Sequence, residues 1–466
     1  MDENGKEEFD LVIHGGKLVS AERTYLADIG IRKGKIVAHG KNLQGKKRVD
    51  ANGLLVLPGA VDPHVHLEMP VGGTRSSDDW FTGTRAAACG GTTTVIDFAE
   101  PAQGERLSQA LARRRNLAEG KAAVDYGLHM TIVNDDAQTL ADIALLVKTG
   151  CTSFKTYLTY EGFRLSDKAF LNVLTAVKKS GGITLVHAEN DAIIAHLKER
   201  FRSEKKTAPR FHALARPAVV EGEAIVRSLA MAEVAGARLY VVHISTRLGA
   251  DALQAARQRG VTVIGETCPH YLLLTAAELS RPGFTGAKFV CSPPLRSPED
   301  NERLWLALAQ DDLQTVGTDH CPFNYKGQKD LGKGDYEKIP GGLPGIESRL
   351  ALLYTFGVGT GRLSLNRWVE VCCTNPARVF GLYPRKGSLE PGADADLVLF
   401  DPHKQVTISH KLLHENVDYT PYEGMQLTGF PVMTFLSGKM IANQGEFTGT
   451  PGDGQYLSRD CGFNPN

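Results

Sequence analysis

Over the first 57 residues, short apolar runs alternate with turn residues. Phe9-Asp10-Leu11-Val12-Ile13-His14 runs into Gly15-Gly16, and Ile29-Gly30-Ile31 leads through Lys33-Gly34 to Lys35-Ile36-Val37. This spacing predicts short strands joined by hairpin-like turns. From His64 the pattern changes, and apolar β-rich runs alternate with long amphipathic stretches. The runs are centred on His64, Thr93–Phe98, 126–133, 152–157, Ile183–His187, 239–244, 261–266 and 315–320. Between most of them lies helical spacing, as in residues 107–117, 136–148, 167–179 and 224–235. After about residue 385 the β pattern returns. A turn-rich segment, 387–396, leads into Leu397-Val398-Leu399-Phe400, and 432–436 with 439–442 reads as a closing hairpin.

Near-continuous apolar strands that alternate with helices indicate a parallel sheet covered on both faces. Eight such units predict an α/β fold, a closed (β/α)8 barrel of the TIM type. An open doubly wound sheet is the alternative, but no glycine fingerprint for a dinucleotide follows the first strand. The two chain ends are expected to meet in one small β-sandwich domain with the barrel inserted between them. The predicted boundaries are 1–57 and 385–448 for the small domain and 58–384 for the barrel. The Gly/Pro-rich tail, 449–466, has no hydrophobic period, so it is expected to be loose or ordered only against a partner subunit.

Composition narrows the classes. Lys plus Arg and Asp plus Glu both number 53, so the net charge is zero and nothing argues for nucleic acid or an anionic membrane. The residues Met1 to Lys6 are polar and no apolar segment follows them, so no signal peptide or spanning segment is expected and the cytoplasm is the default compartment. The 8 cysteines are scattered without a CxxC pair, which favours free buried thiols over a disulfide framework.

The candidate chemistry begins at Val61-Asp62-Pro63-His64-Val65-His66, just after the apolar run Leu54–Leu57. Side chains alternate along a strand, so His64 and His66 share a face and can grip one metal ion. Five of the eight predicted strands end in such a residue: His64 and His66 on the first, Lys155 on the fourth, His187 on the fifth, His243 on the sixth and Asp319 on the eighth. In a barrel the C-terminal strand ends converge on one face, so residues far apart in sequence surround one point. His14, His129 and His196 fall outside the pattern and read as ordinary structural residues. Lys155 is the odd member, because an ammonium beside two dications binds nothing. Burial and neighbouring positive charge favour the neutral amine. A neutral amine can add carbon dioxide and become a carbamate that bridges two ions. The set then reads as His64, His66 and Asp319 on one ion, His187 and His243 on the other, and carbamylated Lys155 shared. Imidazole and carboxylate ligands suit two zinc ions, with manganese or cobalt as alternatives.

These motifs resemble the cyclic amidohydrolases, specifically the dihydropyrimidinase/hydantoinase family. The resemblance runs over nearly the whole chain. It is carried by Asp62–Leu67 with Gly72-Gly73-Thr74, Gly90–Thr93, Asp97-Phe98, Phe154-Lys155 with Tyr160, Val186–Asn190, Val242–Ser245, Glu266–Tyr271, Ser292–Arg296 and Gly317–Pro322. It implies a binuclear zinc hydrolase that opens cyclic amide rings such as dihydrouracil or hydantoin to N-carbamoyl amino acids, in a cytoplasmic homotetramer. Asp319 would act as general base and then acid. Tyr160 would bind the carbonyl oxygen as it becomes an oxyanion, and Ser292 the ring imide. One departure is visible: many relatives carry Asn after the Ile-Pro pair, whereas Ile339-Pro340 is followed by Gly341. The family contact there is a main-chain one. Rival readings are an allantoinase or a dihydroorotase-like enzyme, for which Arg75 is the nearest candidate carboxylate clamp, and a non-catalytic scaffold relative. The scaffold proteins lack the metal ligands that are all filled here.

Overall fold

The computed structural model describes residues 8–462 except Gly72. The polar first residues, Gly72 of the glycine pair, and 463–466 of the tail lie outside the described residues. The chain ends build a nine-stranded mixed sheet. In it Leu397–Thr407 runs antiparallel to Leu55–Pro58, which lies beside Leu11–Val19, so the N- and C-terminal segments meet at its centre. One face is closed by Ile13, Ile29, Val56, Leu397 and Leu399, all buried.

The intervening chain forms eight parallel strands, each hydrogen-bonded to the next in sequence. They are β1 (Ala60–Val65), β2 (Thr92–Ala99), β3 (Asp125–Thr131), β4 (Ser153–Tyr157), β5 (Ile183–His187), β6 (Leu239–Val241), β7 (Val263–Thr267) and β8 (Thr315–Val316). Closure from β8 back to β1 is made just past the strand ends. Val65 bridges His320 in parallel, the His66 amide donates to His320 O at 2.8 Å, and Thr318 Oγ1 donates to Asp62 at 2.6 Å. This is the barrel that the eight-unit pattern predicts, with a second sheet from both termini.

The helices follow from local sequence. The helix Asp167–Lys179 starts at Ser166, whose hydroxyl accepts from the Ala169 amide, and it buries Ala169, Phe170, Val173, Leu174 and Val177, the three-four spacing of one apolar face. The helix Ala218–Ala235 stops where Gly236 turns left-handed at φ 58°. Among the described residues no helix is long and apolar enough to cross a membrane. All eight cysteines are free, and only Cys461 is exposed.

The barrel interior is a packed core. Val61, Ile96, Phe98, Leu185, Tyr240 and Ile264 point inward and are stopped at the N-terminal end by Phe380 and Leu457. Leu457 belongs to the tail, so the expectation for that segment is corrected. Residues 449–462 lie along this chain's own barrel. The Tyr126 amide donates to Gln455 O at 3.0 Å, the Leu457 amide donates to Tyr126 O at 2.7 Å, and Arg459 is buried with Nη2 2.9 Å from Ser153 Oγ. The segment has no period because a few isolated side chains and its backbone edge do the anchoring.

Candidate metal centre

His64 lies on β1 and His66 directly follows it, with ring centroids 5.1 Å apart. Phe98 of β2 packs against both rings, at 5.0 and 4.6 Å. Lys155 of β4 places Nζ over Phe98 and Tyr157, 5.2 and 5.1 Å from the ring centroids. His187 is the last residue of β5, His243 follows β6, and Asp319 follows β8. Asp319 Oδ1 lies 3.2 Å from His64 Nε2 and 3.1 Å from His66 Nε2, and the donor atoms of this trio lie within 4.8 Å of one another. His187 Nδ1 lies 2.9 Å from His243 Nε2, and the His243 and His64 rings are 5.5 Å apart. One pocket of about 410 Å³ is lined by all six residues together with Tyr160, Ser292 and Gly341.

Two carboxylates fix which way the imidazoles face. Glu266 Oε1 lies 2.7 Å from His64 Nδ1, so Nε2 is turned to the pocket, where it makes no hydrogen bond. Glu189 Oε2 lies 2.7 Å from His187 Nε2 and is itself held by Arg216, so His187 Nδ1 faces His243. His66 Nδ1 and His243 Nδ1 also lack a hydrogen-bond partner. Buried imidazole nitrogens left without a partner, backed at His64 by a carboxylate on the far ring nitrogen, are what divalent cations require. The donor set fits them. A second donor group, Cys89, Glu347 and His414, lies elsewhere, and there His414 Nδ1 is already taken up by Glu347 Oε1 at 2.8 Å.

The electrostatics agree. Burial raises the Asp319 carboxyl, but the imidazoles of His64, His66 and His243 outweigh it and hold the group well below the usual carboxylate range. Burial pulls Lys155 down to about 8 against the opposing pull of Asp319 and Glu266, so a usable fraction is neutral amine near physiological pH. Burial also pulls His66, His187 and His243 down, keeping the imidazoles neutral and able to ligate. Tyr160 is pushed up by burial and remains a phenol, an O–H donor. The backbone is strained at this end. Tyr160, His243 and Asp319 adopt φ of 77°, 40° and 49°, a left-handed region that non-glycine residues rarely occupy and that clusters at functional sites.

Tyr160 packs on His187 with ring centroids 4.9 Å apart. Beside Tyr160 and within hydrogen-bonding reach of it, Ser292 Oγ lies 3.2 Å from His212 Nε2, which also lies 2.9 Å from Cys291 O. A Cβ built on Gly341 would sit 3.4 Å from Ser292 Oγ, in ordinary van der Waals contact, so this position directly adjoins Ser292. Of the residues set aside in the sequence, His129 is a core histidine between Ser153 Oγ and Pro63 O, and His14 pairs with Asp28. Arg75 is exposed and does not line the pocket.

Sequence reasoning named the motifs around Glu189 and Glu266 without giving either residue a role. Glu189 sits two residues from His187, a visible signal. Glu266 reaches His64 from β7, and no spacing in the sequence points to that contact. Glu100 was missed altogether, although it directly follows β2, two residues beyond Phe98, and lines the pocket.

The Amidohydrolase family profile matches residues 55–441. The chain is 44% identical over 456 residues to a D-hydantoinase of Streptomyces coelicolor, covering 96% of this chain and 97% of that one. It is 45% identical over 452 residues to a D-hydantoinase of Geobacillus stearothermophilus, covering 96% of each. The crystal structure of a dihydropyrimidinase from Brevibacillus agri superposes with a TM-score of 0.96 at 43% identity, over 97% of this chain and 99% of that one. With barrel, inward-turned imidazoles and full-length likeness in agreement, the chain belongs to the amidohydrolase family, in its dihydropyrimidinase and hydantoinase branch.

Proposed function

We propose that this enzyme hydrolyses the ring C–N bond of hydantoins and dihydropyrimidines and releases N-carbamoyl amino acids. The observation that carries the reading is the convergence of six candidate ligands with Tyr160 and Ser292 on one pocket, in a chain this similar to hydantoinases. Two divalent cations, zinc first and manganese or cobalt as alternatives, supply Lewis-acid polarisation of the ring carbonyl and acidification of water when bound. His64, His66 and Asp319 would hold one, His187 and His243 the other, with carbamylated Lys155 serving both. Asp319 takes the proton of the attacking water and passes it to the leaving ring nitrogen. Tyr160 O–H donates to the carbonyl oxygen as it gains negative charge. Ser292 and the main chain at Gly341 orient the ring. The family resemblance further supports a cytoplasmic homotetramer.

Among the described residues lining the pocket, Lys155 is the one basic side chain apart from the imidazoles, and Arg75 points elsewhere. That favours uncharged rings over carboxylate-bearing dihydroorotate. The test is a panel of hydantoin, dihydrouracil, allantoin and dihydroorotate with zinc-loaded protein grown with carbon dioxide, read as gain of one water by mass spectrometry. Hydantoin or dihydrouracil is expected to open. Turnover of allantoin or dihydroorotate alone, or of none, overturns the reading.

A further inference from the structure

We infer that Glu100 makes this pocket selective for cyclic ureides whose ring substituent carries an ammonium or another strong hydrogen-bond donor. The inference rests on the ring-opening reading above and names its substrate class.

Glu100 directly follows β2, two residues beyond Phe98, and lines the pocket. Phe98 lies against His66 and beneath Lys155 Nζ, so Glu100, one step further toward the mouth, reaches the pocket beside Met69, Val71 and Phe163. Among the described residues its carboxylate has no hydrogen bond and no ion pair. Three cations act on it: Lys155 makes no hydrogen bond or ion pair with it, and the two guanidiniums are committed elsewhere. Arg114 holds Asp97 Oδ1, through Nε at 2.8 Å, and also Leu67 O. Arg113 pairs with Glu105 and gives Glu100 only a bond to its main-chain oxygen, at 2.7 Å. Burial, reinforced by Asp97, pushes the Glu100 carboxyl up to about 7. A half-buried carboxylate without a partner is costly and calls for one. The ligand is the group that can supply it.

The surroundings define that ligand. Val71, Tyr157 and Phe163 give apolar walls for an alkyl or aryl stem, and Glu100 stands among them as a polar end-point. Glu161, exposed at the mouth, adds a second negative charge. A substituent ending in an ammonium gains a charge-assisted bond, an alkyl one leaves the carboxylate bare, and a carboxylate one meets like charge.

The experiment compares 5-(aminoalkyl)-, 5-alkyl- and 5-(carboxyalkyl)hydantoins of equal chain length, with hydantoin as reference. In the unaltered enzyme kcat/KM should favour the aminoalkyl over the alkyl ring by about tenfold or more, with the carboxyalkyl ring last, because a desolvated charge-assisted bond discriminates at that level. Glu100→Gln should reduce the amino-to-alkyl ratio about tenfold, mainly through KM, Glu100→Leu should invert it, and Glu100→Asp should keep part of it. A ratio at or below one in the unaltered enzyme overturns the inference whatever the variants do. So does an unchanged ratio in a folded Glu100→Gln protein. If hydantoin opens while the series is flat, the Glu100 assignment alone fails. If no ring opens, the ring-opening reading fails and takes this inference with it.

Discussion

Two buried lysines occupy opposite ends of the same barrel. Lys386, at the N-terminal end, is 1% exposed and sits among Asp125, Asp394 and Asp396, at 2.5, 3.0 and 2.7 Å. Lys155, toward the C-terminal end, is equally buried, yet among the described residues its Nζ has no hydrogen bond or ion pair and lies over aromatic rings. For Lys386 burial works against the charge, but Asp396, Asp125 and Asp394 together raise its pKa. For Lys155 burial wins and the pKa falls to about 8. The residue type is the same, and the supply of carboxylates decides its chemistry. One is a fixed ammonium that joins β3 to the small sheet. The other is an ammonium that burial makes easier to deprotonate.

The comparison is broken most sharply by removing each lysine in turn. Lys155→Ala should lose metal and reduce activity by well over about 10²-fold, since even residues that only orient ligands cost 10–100-fold. Short carboxylates such as propionate, added with zinc, should partly restore activity by filling the vacated space, whereas chloride should not. Metal analysis and rescue kinetics check this. A variant that keeps two metals and full activity would show that Lys155 bears no carbamate.

Lys386→Met should do the reverse. It strands buried carboxylates, so unfolding free energy should fall by about 3–5 kcal/mol, while the folded fraction keeps its metal and its kcat. Urea midpoints and metal content separate the two. The acid side gives the sign. Burial raises the Asp394 carboxyl, but Lys386, Lys35 and Arg385 outweigh it and hold it at about 2. Its contribution is therefore present above its unfolded value and lost as pH falls through about 2. The stability gap between the parent and Lys386→Met should narrow as pH falls below about 4. A gap independent of pH would mean that the cluster is not the source.

Tyr160→Phe tests the chemistry at the C-terminal end without touching a ligand. Loss of one oxyanion donor costs about 10²–10³-fold in kcat. Metal content and KM should move little. A kcat near that of the parent would give the hydroxyl another task.

Much of this contrast was legible in the sequence, and the parts that were not share a cause. The convergence of the six candidate ligands on one pocket was readable because each stands at the end of an apolar run, where strand period and barrel geometry put it on one face. Lys155 was readable because a lysine in that position conflicts with its neighbours. The Lys386 cluster was not, because Asp125 is 261 residues away and only the meeting of barrel and small sheet brings them together. Glu266 was hidden in the same way: its bond to His64 spans 202 residues. The tail was misjudged because Leu457 and Arg459 act as single anchors with no repeating pattern. Periodicity reports which face a residue takes, and it carries no information about partners across the fold.

The smallest expected effect concerns the pocket wall rather than its charges. Tyr157 is buried at 8% exposure and packs edge-on against Phe163, with centroids 5.4 Å apart, and against Tyr160 at 5.9 Å. It lines the pocket beside Val71, where a 5-substituent would lie. Tyr157→Leu removes an aromatic surface but retains an apolar one, so unsubstituted hydantoin loses little contact. A 5-phenyl ring loses a stacking partner, and a branched alkyl ring gains room. Changes of this size in an apolar pocket are worth about 1–3 kcal/mol, or 10–200-fold in relative kcat/KM. The ranking of 5-phenyl-, 5-isopropyl- and unsubstituted hydantoin should therefore shift toward the alkyl ring, with the parent ring changing least. Tyr157 also lies under Lys155 Nζ, so metal content must be measured alongside. A uniform fall across the series with lost metal would make Tyr157 a support for Lys155. A reordered series with metal retained would make it a wall of the substituent pocket.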